Sequence, residues 1–357
     1  MIKKLIFSII FALIVFVAVD NDVFLYHEPV GQITAVATIS KQNVADDFNN
    51  HDKNITQNLT IRLLNTSKRS QKITVQNIAT QSQSLSQLYH KGQKVILQEN
   101  NGHFTVTNLK RDAIIAATFA LFLGLMISFV RWKSSLFLLV SLALNLIFFL
   151  VAVKFDLFTG GTGVLWIFSS LAIIFALISS IFVLGLTKQM LMTFITTILT
   201  TVVTFLLVFI VLSLTGNSGL HFEYLSYVTQ NPTVFFFATS IISVLGAILD
   251  GTGDIVAGLF GMQRQNSDLT KAEYFKSGLT IGQEIIGTLT NVLFMIFIAE
   301  TFPMTVLLLR NGNSWNYIAM IALNLGLLQT LIAAIGIVLT VPITSSLTSF
   351  VLGGKHE

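Results

Sequence analysis

Four carboxylates stand within or beside long apolar stretches of this sequence: Asp250 and Asp254 in Leu249-Asp250-Gly251-Thr252-Gly253-Asp254, Glu284 in the stretch 277–291, and Glu300. A charge at the centre of a membrane-spanning helix costs about 2.5–3.5 kcal/mol, so an acid kept there needs a partner or a task. Asp250 and Asp254, at i and i+4, share one helical face. If Gly251 and Gly253 unwind the helix between them, freed carbonyl oxygens join the carboxylates around a cavity that suits a proton or a cation. If the span ends there instead, the glycines cap it and both aspartates are wet. Glu284 belongs to a polar stripe at helical spacing, Thr280, Glu284, Thr288 and Asn291, while Gly278, Gly282 and Gly287 let another backbone come close. The expected site is therefore an intramembrane polar or ion site formed by Asp250, Asp254, Glu284, Thr288 and Asn291, with Gly251, Gly253, Gly278, Gly282 and Gly287 as packing or hinge positions. The plainer alternative is a helix-packing seam with Glu284 neutral and hydrogen-bonded across helices. Glu300, just before Thr301-Phe302-Pro303, is expected at the membrane surface.

Elements that could position these residues follow from composition. The 357 residues are 53% hydrophobic and 11% charged, with a mean hydropathy of +0.77, thirty Phe and four Pro. Soluble domains carry roughly 25% charged residues, so this chain cannot coat a water-soluble surface throughout. Spans of about twenty residues are expected near 113–130, 134–153, 163–186, 191–214, 233–249, 279–300 and 317–341. With an apolar N-terminal segment at 1–20, they make about eight crossings. Lys3 and Lys4 precede that segment in the manner of an export signal, read here as an uncleaved anchor. Pro342 is expected to end the last helix, and Asn145 and Asn324 read as interhelical glue.

Residues 21–112 differ completely, being rich in Asn, Gln, Thr, Ser and Lys with no run long enough to span. Strands are expected at 30–40, 59–64 and 72–75, with a turn at 65–70. A hairpin is expected from 94–98 and 103–107 around Asn100-Asn101-Gly102, because Asn-Gly accepts the positive φ of a tight turn. The stretch 80–87 reads as a short helix or a loop. A small β-barrel or sandwich results, followed by a seven-helix region at 113–352 and a tail at 353–357.

Basic residues near span ends fall on one side: Lys3, Lys4, Arg131, Lys133, Lys188, Arg264, Lys271, Lys276 and Lys355. Only Lys154 and Arg310 lie in the opposite short loops, so both termini are expected in the cytoplasm and residues 21–112 outside it.

Several chemistries have no foothold. The net charge of +4 is spread along the chain rather than striped, which argues against nucleic acid. No cysteine means no disulfide, thiolate metal site or thiol nucleophile. The six histidines show no metal-ligand spacing, and hydrolase elbows and phosphate loops are missing. Asp250-Gly251-Thr252-Gly253-Asp254 lacks the other ligands of a calcium loop. No enzyme activity, cofactor or metal is expected.

Leu245-Gly246-Ala247-Ile248-Leu249-Asp250, then Ser277-Gly278 with Ile281-Gly282-Gln283-Glu284-Ile285-Ile286-Gly287-Thr288-Leu289-Thr290-Asn291, and finally Val341-Pro342-Ile343-Thr344, resemble in order and spacing the YibE/F-like family of bacterial multi-pass membrane proteins. The resemblance covers roughly residues 240–345. Lys91-Gly92-Gln93-Lys94-Val95 also resembles a segment of the small domain that family members place after the first span. Two departures stand out: the family usually shows Arg-Asp where this chain has Gln283-Glu284, and lacks the second acid at 254. The resemblance implies architecture and, broadly, transport.

Two functions are expected from these readings. The first is a permease with a polar intramembrane site on the sixth and seventh spans, moving an unidentified solute or ion. The second is a scaffold or accessory subunit in which the bilayer-embedded helices anchor the external domain and bind a second membrane subunit or another copy of the chain. An intramembrane hydrolase is a third and weaker possibility, since paired acids alone do not specify one.

Overall fold

The computed structural model describes residues 2–47, 50–66, 69–84, 86–130, 132–225, 231–266 and 268–353. Ser67 and Lys68 of the expected turn, Leu85 of the stretch 80–87, Arg131 and Lys355 of the basic loops, and tail residues 354–357 lie outside the described residues. The chain divides into two units, 1–135 and 136–357.

In the first unit, α1 (Ile2–Asp20) and α2 (Asp112–Phe129) pack side by side. Gly124 permits the approach, because a Cβ there would lie 3.0 Å from Ser8 Cα, and the Ser8 and Ser128 hydroxyls meet at 3.3 Å. Between the helices in sequence run β1 (Val30–Ala45), β2 (His51–Leu63), β3 (Lys72–Thr80), β4 (Lys94–Asn100) and β5 (His103–Leu109). They form one antiparallel sheet in the order β3-β2-β1-β4-β5. Bulges in β1 between Ile33 and Ala35 and between Thr38 and Ser40 bend that long strand. The edges of β3 and β5 come together, so the sheet curls into a partly open five-stranded barrel. Its core is Ile33, Leu59, Ile61, Leu63, Val95 and Leu97, with Val75 and Tyr89 beside them.

The β4–β5 hairpin turns on Asn101 (φ 52°) and Gly102 (φ 80°), the positive pair a two-residue primed turn demands. In the stretch 80–87 the described residues form a loop and no helix, because side chains take over the backbone groups. Ser86 Oγ accepts from Thr80 N–H at 2.9 Å, and Asp52 accepts from the Ser82 hydroxyl at 2.5 Å.

A buried ion cluster ties the barrel to both helices of its unit. The Lys110 side chain is 1% exposed, and its ammonium reaches Val19 O (2.7 Å), Asp22 Oδ1 (2.8 Å) and Asp112 Oδ2 (3.0 Å). Burial alone would lower the Lys110 pKa, but the two carboxylates more than offset it and hold it above the ordinary lysine value. Tyr26 donates to Asp112 Oδ2 at 2.5 Å; burial, then this bond, push its phenol well above the usual range. Lys94 meets Asp20 Oδ2 at 2.6 Å.

The remaining helices are α3 (Trp132–Phe158), α4 (Val164–Leu184), α5 (Lys188–Thr215), α6 (Pro232–Gln265), α7 (Lys271–Arg310), α8 (Trp315–Ile318) and α9 (Asn324–Leu352), with a π-helical turn, Ala319–Leu323, joining the last two. Counting Trp315–Leu352 as one, eight described helices are long and apolar enough to cross a membrane. In the second unit α9 is the centre, packed by α5, α6 and α7.

Three expected boundaries are corrected. α6 does not stop at Leu249 but runs unbroken to Gln265, so Gly251 and Gly253 neither cap nor unwind it. α7 passes through Pro303 to Arg310, which puts Glu300 inside the helix rather than at its end. α9 passes through Pro342 to Leu352. A proline removes one backbone bond, and helix packing can hold the turn that contains it. Around Pro342, Val341, Thr344 and Ser345 are all buried.

Candidate functional site

Asp250 and Asp254 face the same way from the intact α6 and line a cavity of about 330 Å³. Facing them are Ser179 and Ser180 of α4 and Thr193 of α5, with Val183, Leu184 and Leu289 as apolar walls. The donor set is all oxygen. Asn145 on α3 donates to Ser179 Oγ at 3.2 Å and orients it. Ser180 and Thr193, each 2% exposed, are lining residues whose hydroxyl oxygens are buried with no hydrogen-bond partner among the described residues. A buried polar atom left so costs about 1–3 kcal/mol, which a cation or water in the cavity would recover.

The cavity lies close to one end of the helix pair that walls it. Ser180 is four residues before the end of α4 and Thr193 five after the start of α5, about 6–8 Å at 1.5 Å per residue. α5 starts firmly there, with Thr187 Oγ1 accepting from Met190 N–H at 3.1 Å. The cavity therefore lies near the α4–α5 loop, while Asp250 sits midway along the 34-residue α6.

Glu284 is not brought to Asp250. Gly278 and Gly282 are buried against α9, where a Cβ at Gly278 would overlap Ser345 and one at Gly282 would overlap Val341. Residues 280 and 284 point the other way, since two positions along a helix turn the direction by about 200°. Gln283, Glu284, Thr288 and Asn291 are accordingly exposed, and α7 contributes only Leu289 to the cavity. Thr288 donates to Ile285 O at 3.0 Å. A Cβ added at Gly287 would meet nothing within 4 Å, and Gly253 is equally open beside the cavity. Gly251 meets α9, with Thr340 Cγ2 3.3 Å from where its Cβ would be.

The hydroxyl partners escaped the sequence reading, although a signal was present. Thr193, Thr196, Thr197, Thr200, Thr201 and Thr204 recur at three- and four-residue spacing, one face of α5, and all are buried. Thr197 and Thr252 share a hydrogen bond of 2.7 Å. Asn324 donates to Gly219 O at 2.7 Å.

Among the described residues no group of three or more His, Cys, Asp or Glu could hold a metal. Compared with known families, residues 118–354 match the YibE/F-like protein model, and residues 24–110 match the YibE/F family N-terminal domain. No curated protein and no solved structure matches the chain.

Proposed function

The chain belongs to the YibE/F-like family, and on that footing we propose that it is a permease whose solute path passes through the Asp250–Asp254 cavity. One observation carries this reading: two carboxylates line one cavity together with Ser180 and Thr193, whose hydroxyls are buried without a partner among the described residues. Lys188 begins α5, Arg264 lies in the last turn of α6, and Lys271 and Lys276 lie in the first turns of α7, a bias that supports cytoplasmic ends for these helices, cytoplasmic termini and an external barrel in a bacterial cell membrane. No catalytic step, cofactor or nucleic acid enters the proposal.

The test is flux in proteoliposomes with proton and sodium gradients as probes. Asp250→Asn and Asp254→Asn are each expected to cut the flux by about tenfold or more, because each removes a charge made for the solute while keeping the side-chain volume. Unchanged flux in both, from monodisperse protein, sinks the site.

The scaffold reading has its own observation. Gln283, Glu284, Gly287, Thr288 and Asn291 form an exposed polar strip deep in the 40-residue α7, costly against lipid and suited to a second membrane chain. An added Cβ at Gly287 meets nothing within 4 Å and Glu284 is exposed, so Gly287→Leu and Glu284→Leu probe this face. They are expected to shift the mass seen by light scattering in detergent toward monomer; identical masses for wild type and both variants count against this face.

A further inference from the structure

The carboxylate cavity does not account for all the polar groups the second unit buries. Thr200 on α5 and Thr344, Ser345 and Thr348 on α9 also have hydroxyl oxygens with no partner among the described residues; Thr200, Thr344 and Thr348 are 0% exposed. Threonine and serine in helices ordinarily satisfy themselves on the preceding turn, as Thr196, Thr201, Thr204 and Thr340 do here. These four do not.

The helix packing places three of them along one seam. On α9, Thr344 and Thr348 share the face of Thr340, whereas Ser345 is turned to Gly278 of α7 and is not part of the seam. Thr197 of α5 bonds Thr252 of α6, and the neighbouring Gly251 lies against Thr340 of α9, so these positions share a level. From that level Thr193 lies one turn toward the start of α5, and Thr344 and Thr348 one and two turns toward the end of α9, with the two helices packed on each other. Thr193 is also in the cavity wall, so the seam branches from the carboxylates. In the other direction Thr200 and Thr204 continue it until Val208, Val244, Ile332 and Ala333 close it in a dry cluster. The seam is thus polar from one end and shut by apolar packing at the other.

We infer that this α5–α9 hydroxyl seam is a hydrated path, entered beside the Asp250–Asp254 cavity and blocked at the Val208–Val244–Ile332 cluster, and that it accepts a small inorganic monovalent cation. The inference rests on the permease reading and names its solute class. The seam residues named here offer only hydroxyl oxygens, which suit a hard cation, and the carboxylates of Asp250 and Asp254 at its mouth favour a cation over an anion. Carboxylates occur only at the mouth, too few beyond it for a divalent ion that needs several charged ligands. They also concentrate cations where the path begins.

The chain has no native cysteine, so single thiols report cleanly. The probe is Ag⁺, a small monovalent cation that seals a thiol against later alkylation, applied in nitrate buffers to the full-length protein. Thr200→Cys and Thr344→Cys are expected to react about tenfold or more faster than Ile337→Cys, an equally buried apolar position on α9. Sodium nitrate in excess, compared with choline nitrate, is expected to slow them. Rates equal to that of Ile337→Cys show a dry packing seam and overturn the path. Fast reaction indifferent to sodium overturns the cation assignment. Sodium flux through Asp250→Asn, measured on the same background, separates the two claims: a sealed seam with flux lost in Asp250→Asn leaves the permease reading standing, whereas an open, sodium-sensitive seam with flux unchanged removes that reading and keeps the path.

Discussion

Lys110→Met is expected to loosen the first unit by about 3 kcal/mol. The methionine fills most of the lysine's volume, so the loss is electrostatic. It leaves Asp22 and Asp112 facing each other across a space their shared cation occupied, with Val19 O keeping only the longer bond from Asp22 N–H. Breaking a buried pair costs about 3–5 kcal/mol; the low end applies because both carboxylates retain some water. Tryptic cleavage of the barrel in detergent-solubilised protein reads the change, and a variant as resistant as wild type refutes it. The pH dependence has a definite sign. Lys110 and Tyr26 both have folded-state pKa values above their ordinary ones, so their contribution is complete below about pH 10 and declines as pH rises through the folded values. The gap between wild type and Lys110→Met is expected to be flat from about pH 7 to 9 and to narrow above 10.

That cluster also shows where sequence reasoning ends. Lys110-Arg111-Asp112 reads as a polar boundary before a span, and nothing local says that the first cation is buried while Asp22, 88 positions earlier, comes to meet it. Features set by adjacent residues were legible: the apolar lengths of eight helices, and the β4–β5 turn through Asn101 and Gly102. Features set by a neighbour were not. Periodicity correctly grouped Thr280, Glu284, Thr288 and Asn291 on one face of α7, but could not say that the glycine face, turned away from them, is the one that meets α9. Pro342 looked like a stop because proline's local cost is fixed, whereas the burial that offsets it comes from other helices. For the site, the Asp250–Asp254 pair was visible as chemistry out of place. Its partners on α4 and α5 were ordinary serines and threonines until the fold put them opposite two carboxylates.

Gly282→Ala tests the packing that holds α9 in register with this site. A Cβ at 282 would overlap both methyl groups of Val341, and Val341 is itself buried, so the two helices must separate or the valine must leave its rotamer. Overpacking of this kind costs about 1–3 kcal/mol, against a helix-propensity gain of about 1 kcal/mol for replacing glycine. Gly287→Ala collects the same gain with nothing in the way. In detergent, the temperature at which half the monodisperse protein is lost is therefore expected to fall for Gly282→Ala and to hold or rise for Gly287→Ala. Val341→Ala removes the two closest methyl groups but leaves its Cβ 2.9 Å from the added one, so it should relieve Gly282→Ala in part, a coupling of about 1 kcal/mol or more in the double-mutant cycle. Additive effects would mean the helices are not in contact at 282. The position has reach beyond stability, because Val341 lies between Thr340, which touches Gly251 beside the first carboxylate, and Thr344, whose hydroxyl faces the seam without a partner among the described residues. A shift of α9 at residue 341 moves both, so Gly282→Ala is expected to depress flux more than its loss of stability alone would require, and the Val341→Ala background to return part of it.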